Sequence, residues 1–332
     1  MDIINVQDYD IVIGRGVLSK AHELLNLARK VLVVTDTGVP GEYAEAVMSA
    51  AKEPFLVTIP MGEESKNIKS FEHILSVMLE NSFTRGDAVV AVGGGVVGDL
   101  AGFSAACYMR GVDFYNVPTT LLSQLDSSIG GKTAVDFQGV KNVVGAFYTP
   151  KRVIIDPDTL KTLDERQLRA GLSEGIKMAA CFDKELFACI EEAKDINEIL
   201  DEVIIGSLKI KKKVVEEDFK EKGLRAVLNF GHTVGHAIEA LGEGKYLHGE
   251  CVAMGMLPFC SEGARARIKA VLEKYGLETR IEYGANELAG YILHDKKMAK
   301  DKIKAVLVDG IGSFYFDELG ISDIINWLEE SK

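Results

Sequence analysis

The chain has 332 residues, 47% of them apolar and 27% charged, a length that predicts two domains and a balance that supports sizeable cores. A formal net charge of −12 argues against nucleic acid or an anionic membrane as partner, although a few clustered lysines can still create a local site for an anionic small molecule. The apolar runs fall short of the roughly 20 residues of a membrane span, and the acidic stretch Met1–Asp10 lacks the pattern of a secretory signal. Five cysteines (Cys107, Cys181, Cys189, Cys251 and Cys260) form no C-x-x-C pair, which fits free thiols and a cytoplasmic protein.

In chain order, Val31–Thr35, Phe55–Ile59, Ala88–Val92 and Phe114–Val117 read as short buried strands, each stopped by glycine, proline or aspartate. Between them lie helical patterns such as Ser70–Asn81. This alternation predicts βαβ units on a mainly parallel sheet. From about Asp158 strand-like runs become rare, and Gln167–Ala180, Lys184–Ala193, Ile196–Lys213, Thr233–Leu241 and Glu250–Ala266 read as helices. The change near Asp156–Thr159 divides the chain into an α/β domain over 1–157 and a mostly helical domain over 158–332.

Three clusters carry chemistry. Gly93, Gly95 and Gly98 stand at G-x-G-x-x-G spacing between a strand and a helix starting near Val96, where the free N–H groups of a helix N-terminus bind a pyrophosphate. The acid expected at the end of the following strand is missing, since that strand runs into Pro118, Thr119 and Thr120; Asp36, ending an earlier strand, is the alternative ribose contact, or a simple turn aspartate. In the second cluster, His232 and His236 are four apart and share a helix face, with His248 close behind. Glu174 is the candidate carboxylate to join them, and Lys177 lies one turn on; the bland alternative for this pair is an exposed i,i+3 contact worth about a few tenths of a kcal/mol. Two histidines and a glutamate with open positions make a catalytic rather than a structural zinc site. The third cluster is basic. Gly130-Gly-Lys132-Thr133 resembles the end of a P-loop but lacks its first glycine, which argues against nucleoside triphosphate hydrolysis. Lys141, Arg225 and the run Lys211-Lys-Lys213 add cations able to hold a phosphate and a carboxylate, although such a run is normally a solvated helix face.

Taken in order, Gly93-Gly-Gly-Val-Val-Gly-Asp99-Leu-Ala-Gly102, Met109-Arg-Gly-Val112, Val117-Pro-Thr-Thr-Leu-Leu122, Asp126-Ser-Ser-Ile-Gly-Gly-Lys-Thr133, Lys141-Asn142, Ser173-Glu-Gly-Ile-Lys177, Gly223-Leu-Arg-Ala226, Asn229-Phe-Gly-His-Thr-Val-Gly-His236 and His248-Gly-Glu250 resemble the 3-dehydroquinate synthase family of sugar phosphate cyclases. The resemblance runs from about Asp36 to Gly312. It implies a Rossmann-like NAD-binding α/β domain followed by a mostly α-helical metal-binding domain, paired as a homodimer. It implies one Zn2+ or Co2+ on Glu174, His232 and His248, and a catalytic or substrate-contacting role for His236 in place of metal ligation. Positions matching substrate contacts are Asp126, Lys132, Asn142, Lys177, Lys211, Arg225, Asn229 and Lys296 (Lys297 adjoins the last), and Arg110 matches a residue that reaches the neighbouring subunit's site. Positions matching NAD contacts are Asp36, Glu63, Lys66, Gly94, Gly95, Val96, Val97, Gly98, Asp99, Thr119, Thr120, Lys132, Lys141 and the stretch Thr159, Leu160, Lys161 and Thr162. Gly175, Met178 and Gln167 depart from residues common in the family, without removing a ligand or a cation.

The implied substrate is 3-deoxy-D-arabino-heptulosonate 7-phosphate, a phosphorylated sugar acid. NAD transiently oxidises its C5 hydroxyl, phosphate is eliminated, the ketone is reduced again, and ring opening permits an intramolecular aldol closure to 3-dehydroquinate. The alternatives are another sugar phosphate cyclase, or a metal-dependent alcohol or glycerol dehydrogenase, which would consume NAD and leave the lysines unexplained.

Overall fold

The computed structural model describes residues 1–295 and 302–330. The chain separates into two compact units, Met1–Asp164 and Glu165–Lys332. In the first, the order is β1 (Asp2–Val6), β2 (Tyr9–Ile13), α1 (Ala21–Leu24), β3 (Lys30–Asp36), α2 (Gly41–Met48), β4 (Glu53–Ile59), α3 (Ile68–Glu80), β5 (Ala88–Gly93), α4 (Gly95–Cys107), β6 (Asp113–Pro118), β7 (Lys132–Phe137), β8 (Val140–Phe147) and β9 (Arg152–Ile155). Seven strands form one sheet in the order β1-β2-β9-β6-β5-β3-β4, parallel throughout except for the β1–β2 pair, while β7 and β8 form a separate hairpin.

The central strands are covered on both faces. Val31 to Val34 of β3 and Ala88 to Val92 of β5 are fully buried, which is why they read as unbroken apolar runs and not as alternating ones. β3 leads outward to β4, whereas β5 leads in the opposite direction to β6, so the chain reverses between β3 and β5. Crevices at the carboxyl ends of strands at such a reversal are where α/β sheets bind ligands. Asp36 and the Gly93–Gly95 turn stand on either side of this one. The expected strands over 31–35, 55–59, 88–92 and 114–117 all belong to the sheet, and α3 begins where Asn67 Oδ1 accepts from the Lys69 and Ser70 amides at 2.9 and 3.0 Å.

The second unit contains α5 (Glu165–Phe182), α6 (Lys184–Glu192), α7 (Leu200–Glu217), α8 (His232–Gly242), α9 (His248–Met256), α10 (Glu262–Lys274), α11 (Ala285–Asp295), the hairpin β10 (Lys302–Gly310) and β11 (Ser313–Gly320), and α12 (Ile321–Glu330). The helical character expected after Asp158 holds, with three corrections. The continuous helix read over Glu250–Ala266 is two helices, because Pro258 has no N–H to donate and the chain turns through Leu257–Phe259 before Ser261 caps α10. Ile196–Lys213 is a 3-10 turn over Ile196–Glu198 followed by α7. The β10–β11 hairpin was not legible among the helical patterns.

Helices α5, α8 and α9 touch through glycines. A Cβ at Gly249, in the first turn of α9, would collide with the Ala170 carbonyl of α5 and lie 2.7 Å from Ser173 Oγ. A Cβ at Gly255 would collide with the Gly231 carbonyl and lie 2.7 Å from the Gly235 amide of α8. Gly231, which precedes α8, also has φ +79, a left-handed conformation that favours glycine. Backbone-to-backbone contact of this kind tolerates no added methyl, and overpacking a tight interface costs about 1–3 kcal/mol or more. Urea unfolding followed by circular dichroism should therefore show Gly255→Ala destabilised by at least about 2 kcal/mol. Gly263→Ala in α10, where nothing lies within 4 Å, should stay within about 1 kcal/mol of the parent or gain slightly. Equal midpoints for the two variants would remove glycine contact as the constraint on these helices.

Candidate active site

Glu174 sits mid-way along α5 with 1% of its surface exposed, and Lys177, one turn on, with 3%. The pair is thus a buried ion pair between Lys177 Nζ and Glu174 Oε2, and the exposed-contact alternative is excluded. Lys177 Nζ also donates to the Leu228 carbonyl at 2.6 Å. Apart from the Lys177 ammonium against Oε2, neither oxygen of Glu174 has a hydrogen-bond donor among the described residues, a costly condition for a buried carboxylate. Oε1 faces two imidazoles, His232 Nε2 and His248 Nε2, each at 3.9 Å. The other ring nitrogens are committed: His232 Nδ1 lies 3.2 Å from the Phe230 carbonyl and His248 Nδ1 lies 3.0 Å from Glu239 Oε2. Both acceptors call for the Nδ1–H tautomer, which leaves each Nε2 lone pair available toward Glu174.

One ligand atom from each of Glu174, His232 and His248 falls within 4.8 Å of the others. The donor set fits a divalent cation, which would satisfy the carboxylate that lacks donors and both imidazole lone pairs while leaving coordination positions open. Electrostatics differ between the two rings. Burial, reinforced by the positive charge of Lys177, holds His232 well below the ordinary imidazole range. Burial also opposes charge on His248, but the Glu239 hydrogen bond and the charges of Glu174 and Glu239 outweigh it and raise its pKa.

His236 lies exposed on α8, its ring centroid 5.1 Å from that of His232 and 5.9 Å from that of His248. It stands outside the Glu174 set and groups instead with Glu239 and His248. Glu239 is a site residue that sequence reasoning missed; its signal was the spacing of 232, 236 and 239 along one face of a helix. Of the lysine run, Lys211 is buried on α7 whereas Lys213 is exposed. Arg225 is buried in the 3-10 turn Leu224–Asn229, its Nη1 donating to the Phe219 carbonyl at 2.7 Å. Asn229 is exposed and donates from Nδ2 to Glu221 Oε1 at 2.7 Å. Lys296, like Lys297, lies outside the described residues.

In the Met1–Asp164 unit, Gly94 precedes α4, and Gly95, Val96, Val97 and Gly98 form its first turn. A Cβ on Gly94 would lie 3.1 Å from the Thr120 methyl, and one on Gly95 would lie 3.0 Å from Ser127 Oγ, so side chains are kept off the approach to the free amides. Thr119 donates its amide to the Gly93 carbonyl at 3.0 Å, which binds the two strand ends together. Lys66 pairs with Glu63 at 2.7 Å and with Asp99 at 3.5 Å. Asp99, Gly98 and Lys132 line one small cavity with Asn116 and Ser127. Lys132 itself opens β7, a hairpin strand, with none of the strand-to-helix setting of a P-loop.

Other expected contacts are spread more widely. Asp36 Oδ1 accepts from the Gly38 amide at 2.7 Å, the turn role, while the residue still sits at the strand reversal. Thr159, Lys161 and Thr162 line a separate groove of about 380 Å3 with Glu42 and Tyr43, and Leu160 beside them is buried. The Thr159 hydroxyl is engaged by Gln124 Nε2 at 3.1 Å, and that of Thr162 by Tyr43 at 2.9 Å. Asp126 lies in a π-helical turn over Ser123–Ser127. Lys141 and Asn142 are exposed on β8, where the Asn142 amide donates to Asp136 Oδ1 at 2.8 Å, and Arg110 is exposed after α4.

Burial beside one lysine shared with Glu63, with Asp136 also near, pushes Asp99 up to about 7. A carboxyl raised in this way stabilises the fold below its unfolded pKa of 3.8, and that contribution is lost as pH rises toward 7. Without added nucleotide, Asp99→Asn should therefore gain stability relative to the parent between pH 4 and pH 7, by on the order of 1–4 kcal/mol. Urea unfolding across that range checks this, and a difference independent of pH would show that Asp99 ionises normally.

Residues 56–170 match the 3-dehydroquinate synthase N-terminal domain and residues 171–298 its C-terminal domain. A 3-dehydroquinate synthase of Clostridium acetobutylicum is 42% identical over 96% of this chain and 96% of its own length. A crystal structure of 2-deoxy-scyllo-inosose synthase complexed with carbaglucose-6-phosphate, NAD+ and Co2+ superposes with a TM-score of 0.89 at 25% identity, covering 99% of this chain and 100% of that one. The 2-epi-5-epi-valiolone synthase of Streptomyces hygroscopicus, with NAD+ and Zn2+ bound, gives a TM-score of 0.89 at 25% identity over 100% of this chain and 98% of that one. With both of its halves matched, and the relationship running at this identity over nearly its whole length, the chain belongs to the 3-dehydroquinate synthase family.

Proposed function

We propose that the protein converts 3-deoxy-D-arabino-heptulosonate 7-phosphate to 3-dehydroquinate and phosphate in the shikimate pathway of aromatic amino acid biosynthesis, a carbon–oxygen lyase reaction, with NAD and one divalent cation as cofactors. The observation that carries this reading is the buried, donor-poor Glu174 facing two oriented histidines in a chain of this family. Glu174, His232 and His248 would hold Zn2+ or Co2+, which would supply Lewis acidity at a substrate hydroxyl. The first-turn amides of α4 would hold NAD, which would supply a hydride acceptor.

The chain's own groups take the remaining tasks. The first-turn amides of α4 bind the pyrophosphate, Asp36 at the strand reversal meets a ribose, and the Lys66–Asp99–Glu63 set faces the same turn. Lys177 balances the Glu174 charge, so that one cation in the site is already neutralised before substrate enters. Within the helical unit Lys211, Arg225, Asn229 and Lys296 are assigned to contacts with the phosphate, carboxylate or hydroxyls of the substrate, and within the α/β unit the resemblance gives Asp126, Lys132 and Asn142 the same kind of role. His236, exposed beside the other two rings, moves the proton at the C5 oxygen.

Exposed Phe137, Val140, Val143 and Phe147 on the β7–β8 hairpin, with Met109 beside Arg110, support a homodimer in which that apolar surface is covered. Five free thiols support a cytoplasmic location, and no helix among the described residues is long and apolar enough to cross a membrane.

The test is a phosphate-release and product assay with zinc or cobalt and less NAD than protein. Many phosphates per NAD with dehydroquinate formed are expected, and Glu174→Ala should lower kcat by at least about 100-fold. Turnover only with a different phosphorylated sugar would make the protein another cyclase, and net NADH from a simple alcohol would make it a dehydrogenase.

A further inference from the structure

His248 opens α9, so its place depends on how that helix start is held against α5, which carries Glu174. Arg166, in the first turn of α5, donates from Nε to Glu250 Oε1 at 2.7 Å and from Nη2 to Glu250 Oε2 at 2.8 Å, a two-pronged pair. The same Nη2 donates to the Lys245 carbonyl at 2.7 Å, in the segment that leads into α9. Glu250 Oε2 also accepts from the Leu247 amide at 2.8 Å, the residue immediately before His248. One arginine on α5 thereby holds the incoming chain, the helix cap and the third residue of α9, while Gly249 lets the two backbones meet beneath it.

We infer that the Arg166–Glu250 pair is a positioning device for the metal centre: it sets the separation of Glu174 and His248 and so tunes cation affinity and coordination geometry. The pair acts through the backbone on either side of His248, at the Lys245 carbonyl and the Leu247 amide. The inference rests on Glu174 and His248 being ligands. A comparable pair elsewhere in the unit, Arg267 to Glu191 at 2.9 and 2.5 Å, joins α10 to α6 and serves as a matched control.

The experiment measures zinc affinity of the full chain by competition with a chelating dye, and the visible d–d spectrum of the cobalt-loaded protein, for Arg166→Ala, Glu250→Ala, Glu250→Gln, Arg166→Lys and Arg267→Ala. Loss of either partner should weaken zinc about 10–100-fold and shift the cobalt bands. Glu250→Gln, which keeps an acceptor for the Leu247 amide, and Arg166→Lys, which keeps the charge without the fork, should recover part of the loss and cover the case in which an alanine variant fails to fold. Arg267→Ala should change neither readout. Unchanged affinity and bands in the Arg166 and Glu250 variants, or equal losses in Arg267→Ala, would overturn the inference. Zinc affinity in Glu174→Ala equal to the parent's would instead sink the metal reading on which it rests.

Discussion

The convergence of Glu174, His232 and His248 depends on α9 touching α5 and α8 with no side chains between the backbones. Gly249 against Ala170, and Gly255 against Gly231 and Gly235, bring α9 into backbone contact with α5 and α8. Here an imidazole from each of α8 and α9 and a short carboxylate from α5 reach a common point with each imidazole nitrogen 3.9 Å from Glu174 Oε1. Close packing fixes where the three side chains start, and the Nδ1 contacts of the two imidazoles fix how the rings turn.

That geometry has an electrostatic counterpart. Burying Glu174 without hydrogen-bond donors is unfavourable, and Lys177 offsets only one of its oxygens. A divalent cation would offset the remaining charge, and the surroundings suit one: the Phe230 carbonyl and Glu239 hold the two Nδ1 atoms, and burial holds His232 toward its neutral form. In the α/β unit the logic is similar but milder. Lys66 is divided between Glu63 and Asp99 at the mouth of the α4 turn, so an acidic residue sits there without its full charge, beside amides that attract anions.

Much was legible from residues alone. Four strands of the sheet were visible as apolar runs because buried parallel strands need continuous hydrophobic surface, and the glycine turn was visible because only glycine leaves room beside Thr120 and Ser127. Glu174, His232 and His248 were recognisable as a set through the order of their motifs. The breaks were less legible. A helix pattern through Glu250–Ala266 looked continuous because apolar periodicity carries across Pro258, and the hairpin over Lys302–Gly320 went unread although its two strands are adjacent in the chain.

Residue order thus established which chemical groups this chain possesses, a carboxylate, three clustered histidines, a glycine-rich helix start and scattered cations, since side-chain chemistry is written locally. It left open whether Glu174 and Lys177 lay on a solvated face, whether Glu239 mattered, and which lysine of Lys211-Lys-Lys213 turned inward. Those answers came from burial and from distances between α5, α7, α8 and α9, which lie far apart along the chain. Burial is a property of the packed whole: the same glutamate that is ordinary on a wet helix becomes a cation site only when other helices exclude water from it.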